Sequence, residues 1–222
     1  RNLDGLDQLA VSLKDGTDPA LVTEVIEAMT TNESFFFRDN VPFDNFRNTT
    51  LPALIMARSA RKLIRIWSAA ASTGQEPYSI AMILKEEAAR LAGFRAEIIG
   101  TDLSQQVLEK AKAGIYSQFE VQRGLPIQLL MKYFAKVDEM WQIDASLRAM
   151  VQYRMANPLD SLAWLGTVDV IFCRNVLIYF DQQTKSLILD RMSKILAPDG
   201  ALFLGGAETV LGISDHFKAV KD

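Results

Sequence analysis

Apolar and polar positions along the chain follow two alternating periods. Short, nearly continuous apolar runs at 63–67, 95–101, 168–173 and 201–205 read as strands, those at 63–67, 168–173 and 201–205 as buried ones. Between them apolar residues recur at helical spacing, as in Ile80, Ile83, Leu84, Ala88 and Leu91, with Pro77 in the first turn and Gly93 at the end. Further helices are predicted over 103–113 and over 182–196, the latter stopped by Pro198-Asp199-Gly200. Strands alternating with helices specify an α/β fold with a doubly wound, mostly parallel sheet. Residues 217–220 read as the first arm of a terminal hairpin.

Two regions depart from that rhythm. The first 29 residues read as helical, with Asp18-Pro19 as cap and first position and Leu21, Val22, Val25, Ile26 and Met29 on one face. A shorter helix and a turn at Gly16 precede them, and another helix fills 43–60, with Pro52 interrupting or restarting it. Between 115 and 155, three short strands are expected at 133–137, 140–143 and 148–155. They form a small antiparallel excursion, either inserted into the main sheet or leading back to it. The predicted division is a helical segment and linker at 1–32, then a domain at 33–222 with its β subdomain at about 131–156.

In an open parallel sheet, ligands bind beyond the carboxyl ends of the strands. Three candidate features fall there. The first is 64–80, I-R-I-W-S-A-A-A-S-T-G-Q-E-P-Y-S-I, a strand, a loop of small residues and a helix start. Such a unit presents backbone N–H groups and a positive helix end to a polar ligand; it reads equally as a tight turn. The second is Asp102, placed to hold ribose hydroxyls, a few residues beyond the usual spacing of about 20. It or Ser104 equally serves as the cap of the next helix. The third is Arg174-Asn175 after the most apolar strand. Phe35-Phe36-Phe37 ahead of Arg38 either meets a flat ligand, bridges two lobes, or plugs the body.

Composition narrows the chemistry. The 222 residues are 49% hydrophobic, enough for a substantial core, and the net charge of −3 argues against wholesale nucleic-acid or anionic-membrane binding. Cys173 is the one cysteine and His216 the one histidine, so no disulfide, thiol metal cluster, His-based metal site or histidine relay is expected. No apolar run approaches membrane-spanning length and no signal-peptide pattern opens the chain, which points to a cytoplasmic protein. A start at Arg1 and a stop just after an apparent strand suggest a piece of a longer protein.

The blocks T-T-N-E-S-F-F-F-R-D, I-W-S-A-A-A-S-T-G-Q-E-P-Y-S-I-A, G-T-D-L-S, L-E-K-A-K-A-G-I-Y and F-C-R-N-V-L-I-Y-F-D, in this order, resemble the chemotaxis receptor glutamate methyltransferases, the CheR family. The resemblance covers the chain from about Leu21 to its end. It implies a Rossmann-like class I methyltransferase that uses S-adenosylmethionine to convert glutamate side chains on chemoreceptor cytoplasmic helices into methyl esters, leaving S-adenosylhomocysteine. It places Asn32, Ser34, Arg38, Ala69, Glu76, Asp102, Asn157, Pro158, Arg174 and Asn175 in the cofactor pocket, with Glu76 receiving the methionyl ammonium and Asp102 the ribose. Ser34 stands where many relatives have Thr, and Pro158 where Leu is usual. Arg38 is the candidate for orienting the incoming carboxylate. Tyr179 either fixes the same geometry or is a core aromatic. No metal is implied.

Two departures from the family bear on partners. Members that tether to a receptor's C-terminal pentapeptide carry a Gly-containing insertion in the β subdomain; the turn near 136–139 has none and is short, so no such tether is expected. The basic docking helix of the family falls mostly before residue 1, so good cofactor binding with poor receptor methylation is expected of this chain. It is expected to be a monomer without nucleic-acid partners and not an integral membrane protein. The alternatives are a methyltransferase of another acidic protein or of a small molecule, and a non-catalytic cofactor-sensing scaffold. An oxidoreductase is disfavoured because the G-x-G-x-x-G spacing is missing.

Overall fold

The computed structural model describes residues 5–15, 18–29 and 33–220. The expected turn at Gly16 and positions 30–32 at the end of the expected linker lie outside the described residues. The chain divides into two compact units, Arg1–Asn32 and Glu33–Asp222. In the first, α1 (Leu6–Asp15) precedes α2 (Pro19–Met29). Asp18 caps α2 as its sequence suggests, Oδ1 accepting from the N–H groups of Ala20 and Leu21 at 3.1 Å.

The second unit opens with α3 (Val41–Asn45), a π turn (Phe46–Thr50) and α4 (Leu51–Ala57). Pro52 brings no N–H and crowds the carbonyl four residues back. The helix widens there instead of breaking, and Leu51 N reaches Phe46 O. It ends at Ala57, short of the expected 60.

The main sheet holds β1 (Leu63–Ala69), β2 (Arg95–Asp102), β6 (Val151–Met155), β7 (Val168–Cys173) and β8 (Leu196–Leu204) in the order β6-β2-β1-β7-β8. Every pairing in it is parallel. Its crossovers use α5 (Gln75–Glu86), α6 (Gln105–Ala113) and α10 (Gln182–Ile195). Alternate residues feed two cores. Ile64, Ile66, Val170 and Phe172 face one, while Trp67, Ile171 and Cys173 face the other. The winding reverses beside β1, so its carboxyl end and that of β7 flank the crevice where such folds hold ligands.

Between α6 and β6 lie β3 (Ile115–Ser117), α7 (Gln118–Gln122), α8 (Ile127–Tyr133), β4 (Phe134–Val137), β5 (Met140–Ile143) and α9 (Ala145–Arg148). A three-stranded antiparallel sheet of order β3-β5-β4 is present, and β4 and β5 are two of the three strands expected. Its third member is Ile115–Ser117, too short to show a period, whereas Val151–Met155 pairs in parallel with β2. The stretch 148–155 is therefore a helix end followed by a strand of the main sheet.

Further differences are local. The helix predicted to reach Gly93 stops at Glu86 and continues as turns, with Leu91 still buried. Pro198-Asp199-Gly200 does not precede β8 but bulges within it, since Leu196 pairs with Val168 and Ala201 with Val170. A Cβ at Gly200 would sit 2.8 Å from Asp169 O, which accounts for the glycine. β8 is a half-buried edge rather than a buried strand, and residues 217–220 form no strand beside it. Among the described residues no helix is long and apolar enough to cross a membrane.

Candidate active site

The carboxyl ends of β2, β1 and β7 bring together Asp102, the loop after Ala69, and Arg174. The loop is strained: Ala70 and Ser72 have φ of 66° and 48°, and Gly74 has 95°. It is held by Ala71 N to Thr101 O, Ser72 N to an Asp102 oxygen and Tyr116 OH to Thr73 O, each 2.8 Å. Gly74 N donates to Ala71 O. Three N–H groups of this loop are thus used inside the protein, contrary to a simple cradle for a ligand. Gly74 has no alternative: a Cβ there would lie 2.8 Å from Tyr153 OH and 2.9 Å from Ala111 Cβ.

Gly74 also starts α5, which puts Glu76 in the first helical turn, where a carboxylate is favoured by the helix dipole. Glu76 is buried. Ser68 OH donates to its Oε1 at 2.8 Å and Arg174 Nη1 to its Oε2 at 3.1 Å. Burial still outweighs these partners and raises the Glu76 pKa above the ordinary carboxylate value. A cationic ligand group would relieve that cost.

Asp102 is buried, and besides Ser72 N it accepts from Ser104 N at 3.1 Å. The helix cap is Ser104, whose hydroxyl accepts from Val107 N, so the capping alternative falls to Ser104. Ala156 N donates to Asp102 O, which seats Asn157 and Pro158 just past the same edge. Asn157 Oδ1 accepts from Leu159 N at 2.9 Å in an Asx turn that fixes both half-buried residues.

Arg174 is the hub. Its Nη2 donates to Arg38 O at 2.6 Å and to Asp39 at 2.7 Å, while Nε is buried without a partner. An unspent donor beside Glu76 fits a ligand that brings both an ammonium and an acceptor group. Ala69 is buried at the end of β1 and Ser34 is half-buried. Asn32 lies outside the described residues.

The three phenylalanines separate. Phe36 is buried edge-on to Tyr116 and Phe134, Phe37 packs on Phe43, and Phe35 lies under the guanidinium groups of Arg38 and Arg123. Arg38 Nη1 donates to Glu33 O at 2.9 Å. Tyr179, in a 3₁₀ turn (Leu177–Tyr179), is 61% exposed, which removes the core-aromatic alternative. Burial pushes the Cys173 thiol up and leaves it inert, and among the described residues no His, Cys, Asp and Glu cluster could hold a metal.

One residue escaped the sequence reading. Glu208 accepts four backbone N–H bonds, from Asn175 at 2.8 Å, Val176 at 2.9 Å, Leu177 at 2.7 Å and Gly205 at 2.6 Å. It ties the turn after β7 to the end of β8 and holds Asn175 at a φ of 58°. The available signal was Gly205-Gly206-Ala207-Glu208, an acid just beyond a strand's carboxyl end.

The family model described as "CheR methyltransferase, SAM binding domain" matches residues 32–222. "Chemotaxis protein methyltransferase 1" of Pseudomonas aeruginosa is 45% identical over 201 residues, covering 89% of this chain and 73% of that protein. "Chemotaxis protein methyltransferase Cher2" of Pseudomonas putida is 40% identical, covering 100% of this chain and 82% of that protein. A "Chemotaxis protein methyltransferase" of Vibrio parahaemolyticus is 38% identical, with 99% and 80% covered. With the family model matching residues 32–222 and these relatives covering nearly its whole length, the chain belongs to the CheR family of methyltransferases, and S-adenosylmethionine is its cofactor.

Proposed function

We propose that this chain methylates glutamate side chains on the cytoplasmic helices of chemoreceptors, giving glutamyl methyl esters. The observation that carries the reading is the placing of Asp102 and Arg174 at the carboxyl ends of β2 and β7, with Glu76 in the first turn of the helix that follows β1 between them. S-adenosylmethionine supplies a methyl group already activated by its sulfonium charge. Glu76 would receive the ammonium of the cofactor and Asp102 its ribose hydroxyls. Ala69, Asn157, Pro158, Arg174 and Asn175 would line the same pocket, with Ser34 and Arg38 at its entrance.

The residues suit an acceptor that is already anionic. A glutamate of pKa about 4.3 is ionised at neutral pH and needs no general base. The work left to the protein is alignment and exclusion of water. Arg38 can grip both carboxylate oxygens, and Tyr179, exposed beside the Arg174–Asn175 turn, can offer its hydroxyl to the same group. Neither should bind the ground state tightly, because only differential stabilisation speeds transfer.

The finer partner reading is a chemoreceptor helix without a pentapeptide tether, met by a cytoplasmic monomer. The β4–β5 hairpin turns on Asp138 and Glu139 alone, which supports the absence of a tether site. Micromolar binding of the pentapeptide in a calorimetric titration would overturn that part. For the reaction itself, labelled cofactor is supplied with receptor-enriched membranes. Methanol released by mild alkali is expected, and alkali-stable label on protein would refute ester formation.

A further inference from the structure

A second guanidinium, which neither the family blocks nor the proposed pocket uses, shares the Phe35 ring with Arg38. Arg123 follows α7 and lies 4.4 Å from the Phe35 ring centroid; Arg38 lies 5.5 Å from the same centroid. Glu33 engages both. Its Oε1 is 2.5 Å from Arg123 Nη2, and its carbonyl accepts from Arg38 Nη1.

The placing of Arg123 is built into the backbone. Gly124 has a φ of 81°, and a Cβ there would lie 2.1 Å from Phe36 O, so only glycine lets this loop close against the Phe35–Phe36 backbone. Phe36 is anchored in the core, and two residues on Arg38 O meets Arg174 Nη2. Arg123 is therefore held one aromatic ring from the residue that borders the pocket. The Glu33 and Arg123 side chains nonetheless remain 53% and 41% exposed, and a pair so open contributes little to the fold. Such a pair exchanges one carboxylate for another at small cost.

We propose that Arg123 and Arg38, both over the Phe35 ring, form a receiving surface for an acidic acceptor helix, and that Glu33 occupies it in the free protein. Arg38 orients the carboxylate to be methylated, and Arg123 takes a second acidic side chain of the same helix. Contact with the ring holds both guanidinium groups ready, so less side-chain freedom is lost on docking. The inference rests on the proposed reading that the acceptor is an acidic protein segment, and it assigns Arg123 as a specificity residue of that site.

The test compares wild type, Arg123→Gln, Arg123→Lys and Glu33→Gln, with receptor-enriched membranes as acceptor and calorimetry with S-adenosylhomocysteine in parallel. Arg123→Gln is expected to raise the acceptor KM roughly fivefold or more, the size of effect a charged contact at a docking surface produces. Arg123→Lys should recover part of that loss, and Glu33→Gln should lower the acceptor KM by removing the internal competitor. Product affinity should match wild type in all three, and the KM difference should shrink with added salt. An Arg123→Gln enzyme with wild-type KM overturns the inference. So does a Glu33→Gln enzyme as impaired as Arg123→Gln, which would make the pair a structural brace. Wild type that forms no alkali-labile ester overturns the proposed function and this inference with it. An ester formed at equal KM by wild type and Arg123→Gln overturns the inference alone.

Discussion

Arg174 Nη1 lies 3.1 Å from Glu76 Oε2, so the residue just beyond β7 neutralises a carboxylate in the first turn of the helix that follows β1. The pair is tied outward to Asp39 and to the Arg38 carbonyl, so one guanidinium joins the start of α5 to the segment around Arg38.

That relationship gives a pH prediction. The folded-state pKa of Glu76 is raised by burial, with Arg174 and Ser68 only partly compensating. The folded protein therefore holds this proton more tightly than the unfolded chain. Stability of the ligand-free protein should fall as pH rises through the window from the ordinary carboxylate value to the raised one. A ligand ammonium favours the carboxylate form, so affinity for S-adenosylhomocysteine should rise across the same window. In Glu76→Gln both dependences should flatten, and affinity should drop on the order of 10- to 100-fold, as expected for a lost charge-assisted bond. Calorimetry from acid to neutral pH, paired with thermal melts, checks both slopes.

Gly74→Ala tests the strained loop. The new Cβ would strike Tyr153 OH and Ala111 Cβ at a φ of 95°. Shifting either neighbour and strained backbone together should destabilise the fold by about 1–3 kcal/mol. Because Ser72 N meets Asp102, the displacement should also weaken product binding. Urea midpoints and calorimetry should both fall; a variant that unfolds like wild type would show the loop to be looser than its contacts require.

The frame of this fold was legible wherever burial on both faces left a continuous apolar run. Leu63–Trp67 and Val168–Cys173 sit in the sheet as their runs indicate, and Asp102 and Arg174 lie at its carboxyl edge. Ile115–Ser117 was not legible, because three residues carry no period and their pairing depends on β5, over 20 residues downstream. Val151–Met155 was misplaced because parallel and antiparallel strands of five residues look alike in sequence. Glu208 was hidden for a different reason. Its role is to accept from main-chain N–H groups, which every residue but proline carries, so no partner side chain marks it.

Tyr179→Phe separates positioning from packing. The ring is 61% exposed, so loss of the hydroxyl should change stability by no more than about 0.5 kcal/mol. If the hydroxyl helps align the acceptor carboxylate, kcat should fall while product affinity and melting temperature stay close to wild type. Equal kcat would remove Tyr179 from the catalytic set and leave Arg38 as its orienting group.

Glu208→Ala should damage the site from behind. Four backbone N–H groups on two strand ends would lose their shared acceptor, and hydrogen bonds to a charged group contribute about 1.5–3 kcal/mol each without adding fully. The expected cost is at least about 2 kcal/mol in stability, since these donors are partly shielded from water. The left-handed Asn175 would lose the contact that holds it, and Arg174 next to it would shift against Glu76. Product affinity should fall along with the melting temperature. Glu208→Gln distinguishes charge from shape: its amide nitrogen turns a donor toward backbone N–H groups, so it should recover less than half of the loss. A glutamine variant with wild-type stability and affinity would mean that one oxygen suffices, and that the turn after β7 is set by its own backbone.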